Sequence, residues 1–141
     1  MKPSGGAEIE LKLGLEPSAM NALLRHPAVV AARRGPLRRA RVVSSYFDTP
    51  DRALASAGIA LRVRRDGRRW LQTVKGPALP EAAGTMHVRR EHEWPLAGPA
   101  PDPARFVETP WRKALERAWR SGGLAARFTT DFVRRTLPLE L

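Results

Sequence analysis

Charged residues recur at every second position in several short segments of this sequence. Glu8, Glu10 and Lys12 share one parity, as do Arg62 and Arg64, Thr73 and Lys75, and Arg89, Glu91 and Glu93. In a strand, residues two apart point to the same face. Each segment therefore sets charge on one side and apolar residues on the other: Ile9, Leu11 and Leu13; Leu61 and Val63; Trp70 and Val74. The segment 86–94 is less clean, because Val88 and Trp94 share their parity with Arg90 and His92. Any sheet with one wet face shows such alternation. Here, however, carboxylates gather on the first and last segments and cations on the two between. If the sheet curls, the two kinds of charge converge on one lumen. Carboxylate oxygens suit Mg²⁺ or Mn²⁺, hard cations that also bridge phosphate oxygens. Arg and Lys would neutralise the remaining phosphate charge. A lumen of unpaired cations alone would repel itself and be costly to desolvate, which a bound polyanion relieves.

The balance of the whole chain points the same way. Its 141 residues carry 25 Lys and Arg against 14 Asp and Glu, a formal net charge of +11. Arg predominates, and its planar fork binds phosphate through paired hydrogen bonds without losing charge near neutral pH. The composition therefore favours a negatively charged partner: nucleic acid, a nucleotide, polyphosphate or an acidic membrane surface. There is no cysteine, which excludes disulfides, a thiolate nucleophile and Cys-based zinc sites. The first residues lack the apolar run of a signal peptide, and no stretch is apolar for the ~18 residues of a membrane span. A soluble cytoplasmic protein without membrane association is the expectation.

These charges need an ordered set of elements. Residues 7–13, 37–47, 59–65, 69–75, 86–94 and 126–137 are expected as strands. Helices are expected after Pro17, from Pro27 to Ala32, over 51–57 and over 110–121. Asp66-Gly67 marks a tight hairpin, and Gly58 fits a helix C-terminal cap. One clear hairpin among strands and peripheral helices favours an antiparallel α+β sheet over a doubly wound parallel one.

The same residues carry a resemblance. Glu8-Ile9-Glu10-Leu11-Lys12 resembles the Glu-x-Glu-x-Lys signature of the CYTH superfamily, the triphosphate tunnel metalloenzymes. Tyr46-Phe47-Asp48-Thr49-Pro50, Gly58 to Arg64, Thr73-Val74-Lys75-Gly76, His87 to Glu91 and Thr130 to Arg134 follow in the family's order. The similarity spans roughly residues 7–137 and is nearest to the bacterial inorganic triphosphatase branch. It implies an antiparallel β-tunnel with helices outside and a divalent metal, Mg²⁺ or Mn²⁺. Glu8 and Glu10 would help hold that metal, with Glu91 and Glu93 as further tunnel carboxylates. Lys12, Arg62, Arg64, Lys75, Arg89 and Arg134 would bind the triphosphate, and Glu8, Glu10 and Lys12 would also serve catalysis. The family tunnel continues beyond the strand holding Arg134. The resemblance thus implies that residues 7–141 are the N-terminal and central part of such a domain, behind a disordered tail at 1–6. A bare strand edge would then invite homodimerisation. In that branch a helical CHAD domain often follows, which brings polyphosphate in as a partner.

Metal-dependent hydrolysis of inorganic triphosphate is the leading function implied. A class IV-type adenylate cyclase acting on a nucleoside triphosphate and a thiamine triphosphatase are alternatives with the same charge lining. A polyphosphate or nucleic-acid binding module without turnover is the alternative of another class. Other conspicuous residues have plainer expectations. His26 and His92 are expected at the surface, and Trp111 and Trp119 against the outer wall of the sheet. Arg65, Arg68 and Arg69 are expected in solvent around a turn. The run Arg33, Arg34, Arg38, Arg39 and Arg41 is either a solvated surface or a patch that attracts phosphate.

Overall fold

The computed structural model describes residues 6–80, 84 and 86–140. Residues 1–5, most of the expected tail, lie outside the described ones, as does the side chain of Glu8. Six strands follow in order: β1 (Gly6–Leu11), β2 (Arg38–Asp48), β3 (Ala60–Asp66), β4 (Arg69–Ala78), β5 (Met86–Leu96) and β6 (Ala125–Thr136). They form one antiparallel sheet in the order β1-β5-β4-β3-β2-β6. The sheet curls, since side chains from β1 and from β6 line one hollow. No ladder joins β1 to β6 among the described residues, so the expected tunnel is here an open half-barrel.

Helices punctuate the strands where the local chemistry demands it. A 3-10 helix at Pro17–Ala19 runs into α1 (Met20–Arg25), and α2 (Pro27–Ala32) restarts at Pro27. Proline at a first helical position forfeits no hydrogen bond. The β2–β3 link folds around Asp48, whose carboxylate accepts from the N–H groups of Thr49, Leu54 and Ala55 and so caps α3 (Ala53–Ser56). Gly58, at φ +73°, closes that turn. The β3–β4 hairpin turns at Gly67, φ +62°. β4 runs on to Ala78, past Gly76-Pro77, by way of a register shift. The last helix, α4, spans Arg112–Arg120, with Pro110 and Trp111 in the preceding turn.

The core lies on the convex side. Leu54, Ile59, Leu61, Val74, Trp94, Phe106, Leu115 and Ala118 form one buried cluster between the central strands and the outer helices. Ala114, Leu115 and Ala118 place an apolar stripe of α4 against it, at the spacing of one helical face. A 3-10 helix at Pro103–Glu108, between β5 and α4, contributes Phe106. Gln72 pins this helix to the sheet: its side-chain amide donates to the Asp102 carbonyl at 3.1 Å and accepts from the Asp102 N–H at 2.7 Å. On the convex face of β1, by contrast, Ile9 and Leu11 stay 69% and 59% exposed, so the helices cover only the middle of the sheet. Among the described residues no helix is long and apolar enough to cross a membrane.

Candidate functional site

The concave face holds a trough of about 540 Å³. Its cations are Lys12, Arg62, Arg64, Lys75, Arg89 and Arg134, and its carboxylates are Glu10, Glu91 and Glu93. Backbone pairing explains why residues far apart in sequence meet. Arg62 stands between Tyr46 on β2 and Thr73 on β4, and Thr73 faces Glu93 on β5. One rung away, Lys75 is flanked by Ala60 and Glu91. Glu8 pairs with Arg89 and Glu10 with His87 along the β1–β5 ladder. His87 joins Glu10, Lys12, Lys75 and Arg89 around a small side recess of the trough.

Hydroxyl groups fix the two central guanidiniums. Arg62 is only 8% exposed, and its NH2 group donates to Thr73 Oγ1 at 3.1 Å. The Thr73 hydroxyl in turn donates to Glu93 Oε2 at 3.2 Å. Arg64 Nε donates to the buried Ser44 hydroxyl at 2.8 Å. Arg89 spends two donors on backbone, Nε to the Gly76 carbonyl at 2.6 Å and NH2 to the Gly58 carbonyl at 3.0 Å. These contacts set the aim of each fork before any ligand arrives. Sequence parity placed Thr73 on the charged face. The part played by Ser44 and Tyr46 depends on the β2–β3 register, which a single strand's pattern does not contain.

The electrostatics of the trough are unbalanced. Lys75 lies 3.7 Å from Glu91, with both side chains largely buried, and Lys12 lies 3.8 Å from Glu10 at the open rim. The Nε of Arg62 is buried without a hydrogen-bond partner among the described residues. Burial lowers the pKa of Arg64 below the usual arginine value; neighbouring Arg62 and Arg134 push the same way, against Tyr46 and Glu93. Arg remains a cation even so. Six cations among three carboxylates form a surface short of negative charge.

The expected metal ligands are only partly assembled. Glu91 is turned to Lys75 and Glu93 to Thr73. Among the described residues no three Asp, Glu, His or Cys side chains group as a metal centre. Glu8, also expected as a ligand, has its side chain outside the described ones. Mg²⁺ is commonly held by one or two carboxylates, with waters and substrate phosphate supplying the rest. The carboxylates of this trough fit that sparse donor set, and their hard oxygens suit it.

The histidine and tryptophan expectations divide. His92 is not a surface residue. It lies half-buried on the convex face, its ring 5.9 Å from that of Trp94 and 5.8 Å from that of Trp111. Trp111 packs on the outer wall above Gly76 and leaves no room there for a methyl group. Trp119 meets Phe106 edge-on and stays 42% exposed. Arg69 is exposed beside the turn, as expected, and also lines a cavity beyond the trough.

The fold has counterparts among solved structures. The Hippeastrum protein HpAC1, assigned as an adenylyl cyclase and described as having a dominant triphosphatase activity, superposes with a TM-score of 0.59 at 19% identity, over 90% of this chain and 63% of its own. A Vibrio parahaemolyticus protein assigned as an adenylate cyclase gives 0.51 at 14% identity, over 92% and 60%. A Bacillus halodurans protein of the same assignment gives 0.50 at 18%, over 93% and 65%. This chain thus spans less than two thirds of the length of each. The family model of the CYTH domain matches residues 6–140, and with that match over nearly its full length the chain belongs to the CYTH family.

Proposed function

We propose that the trough binds an inorganic triphosphate and, with Mg²⁺ or Mn²⁺, hydrolyses its terminal phosphate. The observation that carries this reading is Arg62: a buried guanidinium whose Nε lacks a partner, beside Arg64, in a hollow where cations outnumber carboxylates. A buried donor left without a partner costs about 1–3 kcal/mol, more on a charged group. A triphosphate supplies the missing negative charge and hydrogen-bond acceptors.

In this reading Arg62, Arg64, Lys75 and Arg89 grip the phosphate oxygens from the floor, with Lys12 and Arg134 closing on them from the two flanks. Water attacks the terminal phosphorus, the bond to the bridging oxygen breaks, and orthophosphate and pyrophosphate leave. The cations stabilise charge on the leaving oxygen, and because they are already oriented they need little reorganisation. Glu93, held by the Thr73 hydroxyl, offers an acceptor that orients the attacking water. A divalent cation at Glu8, Glu10 and the neighbouring carboxylates would add Lewis-acid polarisation of the phosphate when bound.

One observation favours an organic triphosphate as second reading. Tyr46 and Ala60 line the trough and also an apolar cavity of about 580 Å³ bounded by Phe47, Pro50, Leu61 and Phe128. A nucleoside or thiamine group could lodge there, as a class IV-type cyclase or a thiamine triphosphatase would require. Incubation with inorganic triphosphate, ATP and thiamine triphosphate, with each metal, separates these readings. Orthophosphate from triphosphate supports the hydrolase, and cyclic AMP from ATP supports the cyclase. Arg62→Ala should weaken triphosphate binding at least about tenfold, the size of one lost charge-assisted contact. Wild-type affinity in that variant would remove the trough from the site.

A further inference from the structure

The pairing of β4 with β5 slips beside the trough. Lys75 faces Glu91, but the next partners are Ala78 and Arg89. Gly76 and Pro77 thus stand opposite Arg90 alone, the two-against-one count of a β-bulge. A bulge interrupts the ladder and re-aims nearby groups. The Gly76 carbonyl accepts from Arg89 Nε at 2.6 Å, and the Gly58 carbonyl accepts from its NH2 group at 3.0 Å. Two N–H groups of Arg89 are fixed in this way, and the residue lines both the trough and its side recess.

The bulge is braced from behind. A Cβ on Gly76 would overlap the benzene half of the Trp111 indole, so the ring rests directly on the bulge backbone. Trp111 is itself anchored. Its N–H donates to Thr109 Oγ1 at 3.3 Å, its carbonyl accepts from the Leu115 N–H at 3.1 Å, and its ring meets His92 edge-on. It also packs on the buried core cluster. Interiors packed this closely transmit displacement.

We propose that Trp111 is a positioning residue for the trough: from the convex side it holds the Gly76 carbonyl in place, and so sets the aim of Arg89 and its grip on a phosphate. The proposal rests on the triphosphate reading of the trough. Contact with backbone alone would make Trp111 a packing residue. Its role in binding comes from what that backbone does, since the oxygen it backs is the acceptor for a trough cation. A misplacement of ~1 Å at a positioned group can cost about 100-fold in rate.

The test is a double-mutant cycle on the whole chain. Triphosphate binding is measured by calorimetry for the wild type, Trp111→Leu, Arg89→Gln and the two combined, with urea unfolding to find conditions where each is folded. Arg89→Gln should weaken binding at least about tenfold, the size of one lost charge-assisted contact. Trp111→Leu should weaken it about fivefold in the wild type, and by less than about twofold in Arg89→Gln, because it acts through that residue. Trp119→Leu, on the same helix but against Phe106, should shift affinity by less than about twofold in both backgrounds. Wild-type affinity in Trp111→Leu, an equal loss in both backgrounds, or the same Arg89-dependent loss in Trp119→Leu would overturn the proposal. A second measurement needs no ligand. Solvent exchange of the Arg89 Nε–H, followed by NMR, should quicken at least about threefold in Trp111→Leu, while the Arg64 Nε–H, held by Ser44, keeps its rate. An unchanged Arg89 rate overturns the proposal as well. Trp111→Phe, milder toward the core, should move both readouts in the same direction by less. If the wild type binds no triphosphate, the trough reading falls and takes the binding role of Trp111 with it. If triphosphate binds and depends on Arg62 while Trp111→Leu spares both affinity and exchange, the positioning role alone is refuted.

Discussion

On the convex side of β4, Gln72 and Val74 are fully buried, and the polar member of the pair is satisfied at both ends by the Asp102 backbone. One residue along, on the concave side, Thr73 and Lys75 stand among Arg62, Arg64, Glu91 and Glu93, and one guanidinium nitrogen finds no partner among the described residues. The same strand therefore serves two different ends on its two faces. The convex side removes apolar surface from water, at roughly 1.5–3 kcal/mol for each large side chain. The concave side gathers like charges that oppose folding until an anion arrives. Stability and recognition are separated by the two-residue period of the strand, so a side-chain change on one face, away from Gly76, should have little direct effect on the other.

The sharpest way to break this division is to empty the convex core. Trp94 is 1% exposed, and Trp94→Ala should cost about 3–5 kcal/mol in urea unfolding. Its indole Nε1 has no partner among the described residues, so Trp94→Phe forfeits no hydrogen bond, leaves a smaller cavity and should cost clearly less than the Ala variant. A cost for the Phe variant equal to that of the Ala variant would refute this account of the core. A smaller effect probes the concave side. Thr73→Val strips Arg62 of its acceptor and Glu93 of its donor, and should cost about 1–2 kcal/mol. It should also weaken triphosphate binding, with Thr73→Ser restoring both. A Val variant of wild-type stability and affinity would show that Arg62 is aimed without the hydroxyl.

The smallest expected effect is a pH slope. Burial against the indoles, reinforced by nearby Arg90 and opposed by Glu108, holds the His92 pKa below its ordinary value. The folded chain therefore takes up this proton less readily than the unfolded one. The neutral ring's contribution is complete above the unfolded value, ~6.5, and is lost as pH falls below it. His92→Gln should flatten the stability profile in that window while leaving triphosphate affinity unchanged. An unaltered profile would place His92 outside the core's acid sensitivity.

Much of this architecture was legible in the residues because it follows short periods. Strict alternation in β1, β3 and β4 located the strands and their charged faces, and Asp66-Gly67 located the hairpin. What escaped depended on contacts between distant segments. Pro103–Glu108 is 3-10 helix, too short to show an apolar period, and it is held by a side chain thirty residues away. His92 shares parity with Trp94, a hint of its burial, yet only the packing of Trp111 closes over it. The extension of the hollow beyond the trough, toward Arg38 and Arg69, depends on curl and register. Neither is written in any one strand.

Gly76 joins the two sides of the sheet. On its back the Trp111 ring fills the space a methyl group would need, and its carbonyl oxygen receives the Arg89 guanidinium that faces the trough. An indole on the outer surface thus acts as a set-screw on a charged finger within. The grip on a ligand becomes adjustable from behind, by substitutions that never touch the hollow itself.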